Sequence, residues 1–130
     1  ECTVFQMIDA LMAGKAARAH ELYKVMLEAG ENRVGILAML TRQMRILTHI
    51  KLLKGQGMGL REIERALELN HYAAQQAERQ AAQLTLQAVE AGYKACAEAD
   101  YQIKSGQVRD AAAVDALMLR LGAMRGGGGA

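Results

Sequence analysis

The sequence has no proline, no tryptophan and a single phenylalanine, Phe5; its other aromatic residues are four tyrosines. With the apolar content carried mostly by Ala, Leu, Met, Ile and Val, that composition favours helices over strands. Tyr23, Tyr72, Tyr93 and Tyr101 are too dispersed to form a stacking platform for nucleic acid. Cysteine is scarce: Cys2 and Cys96 form no CxxC and no metal-ligand spacing, and His20, His49 and His71 are scattered. A zinc site is therefore not expected, and two free thiols in a reducing compartment is the economical reading. No apolar run approaches the length of about 20 residues that spans a bilayer, and no basic segment followed by an apolar core opens the chain. A soluble cytoplasmic protein with no membrane contact is expected.

Charge of one sign is also lacking. Sixteen basic against 14 acidic residues leave a net charge of +2, so any nucleic-acid contact would need local clustering. The glycine-rich segment 55–59 lacks the Lys-Ser/Thr that completes a phosphate loop, and no GxxxxGK[ST] occurs elsewhere. No cofactor is expected.

The 130 residues present suffice for one domain with a sizeable core. A start at Glu1 points to a fragment or a processed chain. Residues 1–122 read as a helical domain, and 123–130, ending in a glycine run, read as a flexible tail. Thr3 with Gln6 has the spacing of a capping box before Val4, Met7, Ile8 and Leu11, and Gly14 should end that helix. A second helix, 15–29, carries Leu22, Val25, Met26 and Ala29 on one face and stops at Gly30. Asn32 can cap the longest helix, from about Arg33 to Lys54. There Val34, Leu37, Thr41 and Met44 lie along one stripe, and Ile36, Leu40, Leu47 and Ile50 along another. Two stripes require two neighbours, so the helix is either central or shared with another subunit.

The run Gln56 to Gly59 reads as a mobile connection. Leu60, Ile63 and Leu67 fit a short helix, and Asn70 can cap another from His71 through Ala82; this pair invites a helix-turn-helix reading. From Thr85, positions 86, 89, 93, 96 and 103 form an apolar stripe that also contains Asp100, whose carboxylate needs a basic partner, a helix terminus or water. Gly92 would permit a close helix crossing. Ser105-Gly106 ends this helix, and Asp110 can cap a last one with Val114, Leu117, Met118 and Leu121. The result is an all-α bundle of six to seven antiparallel helices.

Three stretches, in order, resemble a known family. AEADYQIKSGQVRDAAAVDALMLRL (97–121) combines an acidic residue, an Ile-Lys-Ser-Gly helix end and a leucine-rich terminal helix. ILAMLTRQMRILTHIKLL (36–53) carries paired arginines, and LREIERALELNHYAAQQAERQA (60–81) a short helix, a turn and a second helix. Together they resemble the C-terminal collar domain of the delta subunit of the bacterial DNA polymerase III clamp loader. The resemblance implies a non-catalytic assembly domain that joins the ATPase (gamma/tau) and delta-prime subunits. The sliding clamp would be met only by an N-terminal region not contained here, and DNA only through the assembly.

Leu40, Arg42, Arg45 and Leu47 are the candidate subunit-interface residues. Arg42 and Arg45, three apart on one helical face, suit bidentate pairing with a neighbour's carboxylate, with Asp100 inside the domain, or with neither. Asp100, Lys104 and Gly106 are candidate structural residues, the first two as an i,i+4 ion pair. The alternative function is a helix-turn-helix DNA-binding regulator using 60–82, with Arg61 and Arg65 near phosphates and Gln75, Gln76, Arg79 and Gln80 toward bases. Glu62, Glu64, Glu68 and Glu78 interrupt that positive surface.

Overall fold

Helical periodicity and turn chemistry agree along this chain, and the computed structural model, which describes residues 2–124, contains seven helices and, among the described residues, no strand. They are α1 (Cys2–Met12), α2 (Ala16–Glu28), α3 (Arg33–Gly55), α4 (Leu60–Leu67), α5 (His71–Ala82), α6 (Leu86–Lys104) and α7 (Asp110–Ala123). The Cys2 side chain and residues 125–130 of the expected tail lie outside the described residues.

Three helices start on side-chain caps. The amides of Gly35, Ala73 and Ala88 donate to Asn32 Oδ1 (2.7 Å), Asn70 Oδ1 (2.7 Å) and Thr85 Oγ1 (3.0 Å), each satisfying an orphan donor of a first turn. Two expected caps are corrected. α1 already begins at Cys2, so Thr3 lies inside its first turn, and Arg109 holds the cap position of α7. Asp110 is instead the first residue of α7, where its carboxylate faces the positive end of the helix dipole. Gly59 caps α4 by donating its N–H to Glu62 Oε1 (3.1 Å), the half of a capping box that needs no side chain at the cap.

Helix ends repeat one device. At Gly14, Gly30, Gly57 and Gly106 the backbone turns left-handed, and a pair of amides reaches back to the last turn, as in Lys15 N to Ala10 O (2.8 Å) and Gly14 N to Leu11 O (3.2 Å). The Gln56 to Gly59 connection, expected to be mobile, is such a hydrogen-bonded turn, closed by Met58 N to Leu53 O (3.1 Å). α4 ends in the same pattern, with Leu69 N to Glu64 O (2.9 Å), but the left-handed residue is Glu68 (φ 56°). A side chain there crowds the backbone as glycine does not.

α3 is the axis of the fold and packs against α1, α4, α5, α6 and α7, while α2 packs on α1. Both stripes of α3 are consumed by these neighbours: Ile36, Leu37, Leu40, Met44, Leu47 and Ile50 are at most 1% exposed. Val34, by contrast, is 46% exposed and leaves its stripe. Val25 and Ala29 are also exposed, so α2 buries a narrower face centred on Leu22, Tyr23 and Met26. Gly92 does bring α6 close: a Cβ there would lie 2.5 Å from Met44 Cε and 2.8 Å from Met124 Cε. Met124 thus belongs to the folded unit, two residues beyond the expected boundary at 122, with Ala123 closing α7.

One polar side chain sits deep in the α1–α3–α5 contact. Gln80 is 1% exposed; its Nε2 donates to Phe5 O (3.1 Å) and Asp9 Oδ1 (2.8 Å), and its Oε1 accepts from Gln43 Nε2 (2.9 Å). Among the described residues no buried side-chain nitrogen or oxygen lacks a partner. Two stability changes follow, both read from urea unfolding. Gln80→Ala removes the hydrogen bonds to Gln43, Asp9 and the Phe5 carbonyl and should cost about 1–3 kcal/mol. Glu68→Gly should stabilise by about 0.5–1 kcal/mol, the relief of left-handed crowding less the added freedom of the unfolded chain.

Candidate assembly surface

The central helix decides what the domain can offer a partner. Leu40 and Leu47, expected at a subunit interface, are 0% exposed and pack inside the domain, so the folded chain presents neither to a neighbour. The physical reason is the number of elements around α3: its two apolar stripes meet neighbours within the same chain. Arg42 and Arg45 are different. Both are exposed on the outer side of α3. Arg42 also lines a groove of about 600 Å³ between α1, α3 and the α4–α5 turn, with Phe5, Asp9, Ile46, Tyr72 and Gln76 among its other walls.

Asp100 does not reach across to these arginines in the ion-pair pattern of the structure; its Oδ2 meets Lys104 Nζ at 2.9 Å, one turn along α6. Its side chain is 40% exposed and that of Lys104 72%, so this pair contributes only about 0.3–0.5 kcal/mol. Gly106 follows directly, with φ 76° and its N–H on Ile103 O (3.1 Å), and ends the helix. Between helices, Arg120 joins α7 to Glu98 of α6 (2.7 Å), Lys54 joins α3 to Glu78 of α5, and Lys51 Nζ donates to the carbonyl of Ala81 (3.1 Å). These cations close the fold from the rim.

The α4–α5 pair forms a helix-turn-helix shape, but its second helix is anchored inward. Ala74, Ala77, Gln80 and Ala81 are buried. Gln80, expected among base-reading residues, therefore points into the core, and its network with α1 was not legible from a glutamine in an Ala/Gln-rich helix. Arg61, Arg65, Gln75 and Arg79 are exposed, with exposed Glu62 and Glu68 among them. His71 and Glu64 pair across the turn.

Burial shifts two titratable groups within the domain. Cys96 is 0% exposed on α6, and burial pushes its thiol up to about 11, against smaller lowering effects of the Thr41 hydroxyl and Arg120. Burial also raises the Tyr23 phenol, although Arg33 Nε donates to its oxygen (3.0 Å) and pulls the other way. Among the described residues no group of three or more His, Cys, Asp or Glu side chains could hold a metal ion, and no helix is long and apolar enough to cross a membrane.

Comparison with known protein families matches residues 1–121 to "DNA polymerase III delta subunit, C-terminal domain". The chain belongs to that family. Among solved structures, the DNA clamp loader delta protein of Bacillus subtilis has the same fold, with a TM-score of 0.87 at 21% identity. The match covers 93% of this chain and 36% of that one, so the chain spans about a third of the relative's length. Among curated proteins none matches the sequence. For this delta C-terminal domain the all-α bundle is thus supported by its own helices and by a relative's fold.

The buried thiol gives a pH prediction with a definite sign. The unfolded chain releases the Cys96 proton near pH 9, whereas the folded chain holds it to about 11. The contribution is complete below about pH 9 and is lost as pH rises to about 11, amounting to about 2–3 kcal/mol. Urea unfolding between pH 8 and 11 should show a shallower alkaline decline in Cys96→Ala than in the parent chain.

Proposed function

We propose that this chain is the assembly domain of a clamp-loader delta subunit, with no reaction of its own. It joins the ATPase (gamma/tau) and delta-prime subunits in the collar, in the bacterial cytoplasm at the replisome. In that reading, residues upstream of this chain engage and open the sliding clamp, DNA is met only through the assembly, and nucleotide hydrolysis belongs to the ATPase partners. The observation that carries the reading is the family match across nearly the whole described fold.

The physical picture is mechanical. A helix held on most of its circumference by its own chain, as α3 is, transmits force without bending, because native cores repack in discrete steps rather than deform continuously. The domain then keeps a fixed geometry while partners move. Arg42 and Arg45 are the residues through which α3 would pair with a neighbour's carboxylates; Leu40 and Leu47 support them from within. Asp100, Lys104 and Gly106 shape and end α6 and thereby set where α7 packs. The closed, protonated Cys96 fits a domain without a nucleophile.

Light scattering of the chain mixed with purified clamp-loader ATPase and delta-prime subunits, at two salt concentrations and with duplex DNA in parallel, tests this directly. A defined complex with those subunits and no sequence-dependent DNA binding is expected. A folded chain that ignores both proteins and binds DNA in a sequence-dependent way through Arg61, Arg65 or Arg79 would replace the assembly reading with the helix-turn-helix one.

A further inference from the structure

α3 keeps one face that its own domain does not use. Val34, Ala38, Arg42, Arg45, His49 and Leu52 are all exposed, and their alternating four- and three-residue spacings gather them within an arc of roughly 80°. The arc runs for roughly 27 Å along the helix. Ile46 and Leu53 border it on one side and Thr41 and Thr48 on the other, each wholly or partly buried, so the strip is what remains after the neighbours have packed.

Its chemistry is one-sided. α3 has five Lys or Arg residues and no acidic residue. Arg33 donates to the Tyr23 hydroxyl, Lys51 donates to the Ala81 carbonyl, and Lys54 pairs with Glu78. On the strip, Arg45 and His49 make no hydrogen bond or ion pair among the described residues, and Arg42 adds a second positive charge beside Arg45. Two exposed large apolar residues bracket these groups, Val34 at 46% and Leu52 at 39% exposure.

We infer that this outer strip of α3 docks a helix of a neighbouring clamp-loader subunit that carries acidic side chains at its middle and apolar ones at its ends. The inference deepens the assembly reading and rests on it. Charge complementarity selects the occupant: Arg45, near the middle of a helix with no acidic residue of its own, steers and registers a carboxylate, and the apolar ends supply the contact that excludes water around it. A duplex fits less well. It presents a charge about every 1.7 Å, far denser than two arginines and a histidine along the strip, and it offers nothing apolar to Val34 and Leu52.

Titration of the chain and its variants against purified ATPase and delta-prime subunits, with circular dichroism confirming the fold, tests the inference. Arg45→Glu should weaken binding of at least one subunit about tenfold or more at low salt and by less at high salt, where screening removes the repulsion. Leu52→Ser should weaken it severalfold at both salts. Arg65→Glu on α4 and Leu119→Ser on α7, also exposed, should stay within about twofold of the parent. A parent complex that Arg45→Glu leaves unchanged overturns the α3 strip while the assembly reading stands, and loss with Leu119→Ser instead moves the dock to α7. A folded parent chain that binds neither subunit overturns both, and duplex DNA binding abolished by Arg45→Glu would assign the strip to nucleic acid.

Discussion

Burial of α3 is the constraint on which the rest depends. A 23-residue helix with apolar residues on most of its circumference cannot stand on a single neighbour, and here α1, α4, α5, α6 and α7 all pack against it. Its own turn-to-turn amphipathicity is consequently weak, and the helix is stable because of where it sits. Each surrounding helix needs to present only one modest apolar face. That explains how short, Ala-rich helices such as α5 can hold their places: small side chains let them lie close to the axis.

Packing alone does not fix the register of such smooth helices. Gln80 does so for α5: one buried amide engages α1 twice and α3 once, and sliding α5 by a residue would break all three hydrogen bonds. Gly92 and Met44 play the complementary role between α3 and α6, where the absence of a side chain sets the closest approach and flexible thioethers fill what is left. The ends of α1, α2, α3, α4 and α6 are closed by Schellman turns, so those connections are short and hydrogen-bonded. A domain with these properties suits assembly, since it can hold a surface in place.

Much of this was legible because it is local. Asn32, Asn70 and Thr85 announce helix starts, Gly14, Gly30 and Gly106 announce ends, and the order of the three motif stretches carried the family. The illegible parts depend on what lies across the core. Periodicity shows that Leu40 and Leu47 face something apolar, but not whether that surface belongs to the same chain; only the packed neighbours decide it. Val34 and Val25 fit their stripes by spacing and are nonetheless exposed, because no neighbouring helix covers α3 on the side of Val34 or α2 on the side of Val25. Gln80 has no local signature at all. Arg45 is exposed as its charge suggests, yet that the outer face around it is continuous emerges only when the rest of α3 is covered.

Hydroxyl-radical footprinting of the chain, alone and assembled with the ATPase and delta-prime subunits, puts both halves of the account into one measurement. The account predicts no labelling of Leu40 or Leu47 in either state, and labelling of Val34, His49 and Leu52 that falls on assembly. Labelling of Leu40 and Leu47 in the free chain would contradict a self-covered α3, and unchanged labelling of Val34, His49 and Leu52 in a formed complex would contradict its outer face as the surface that meets a partner.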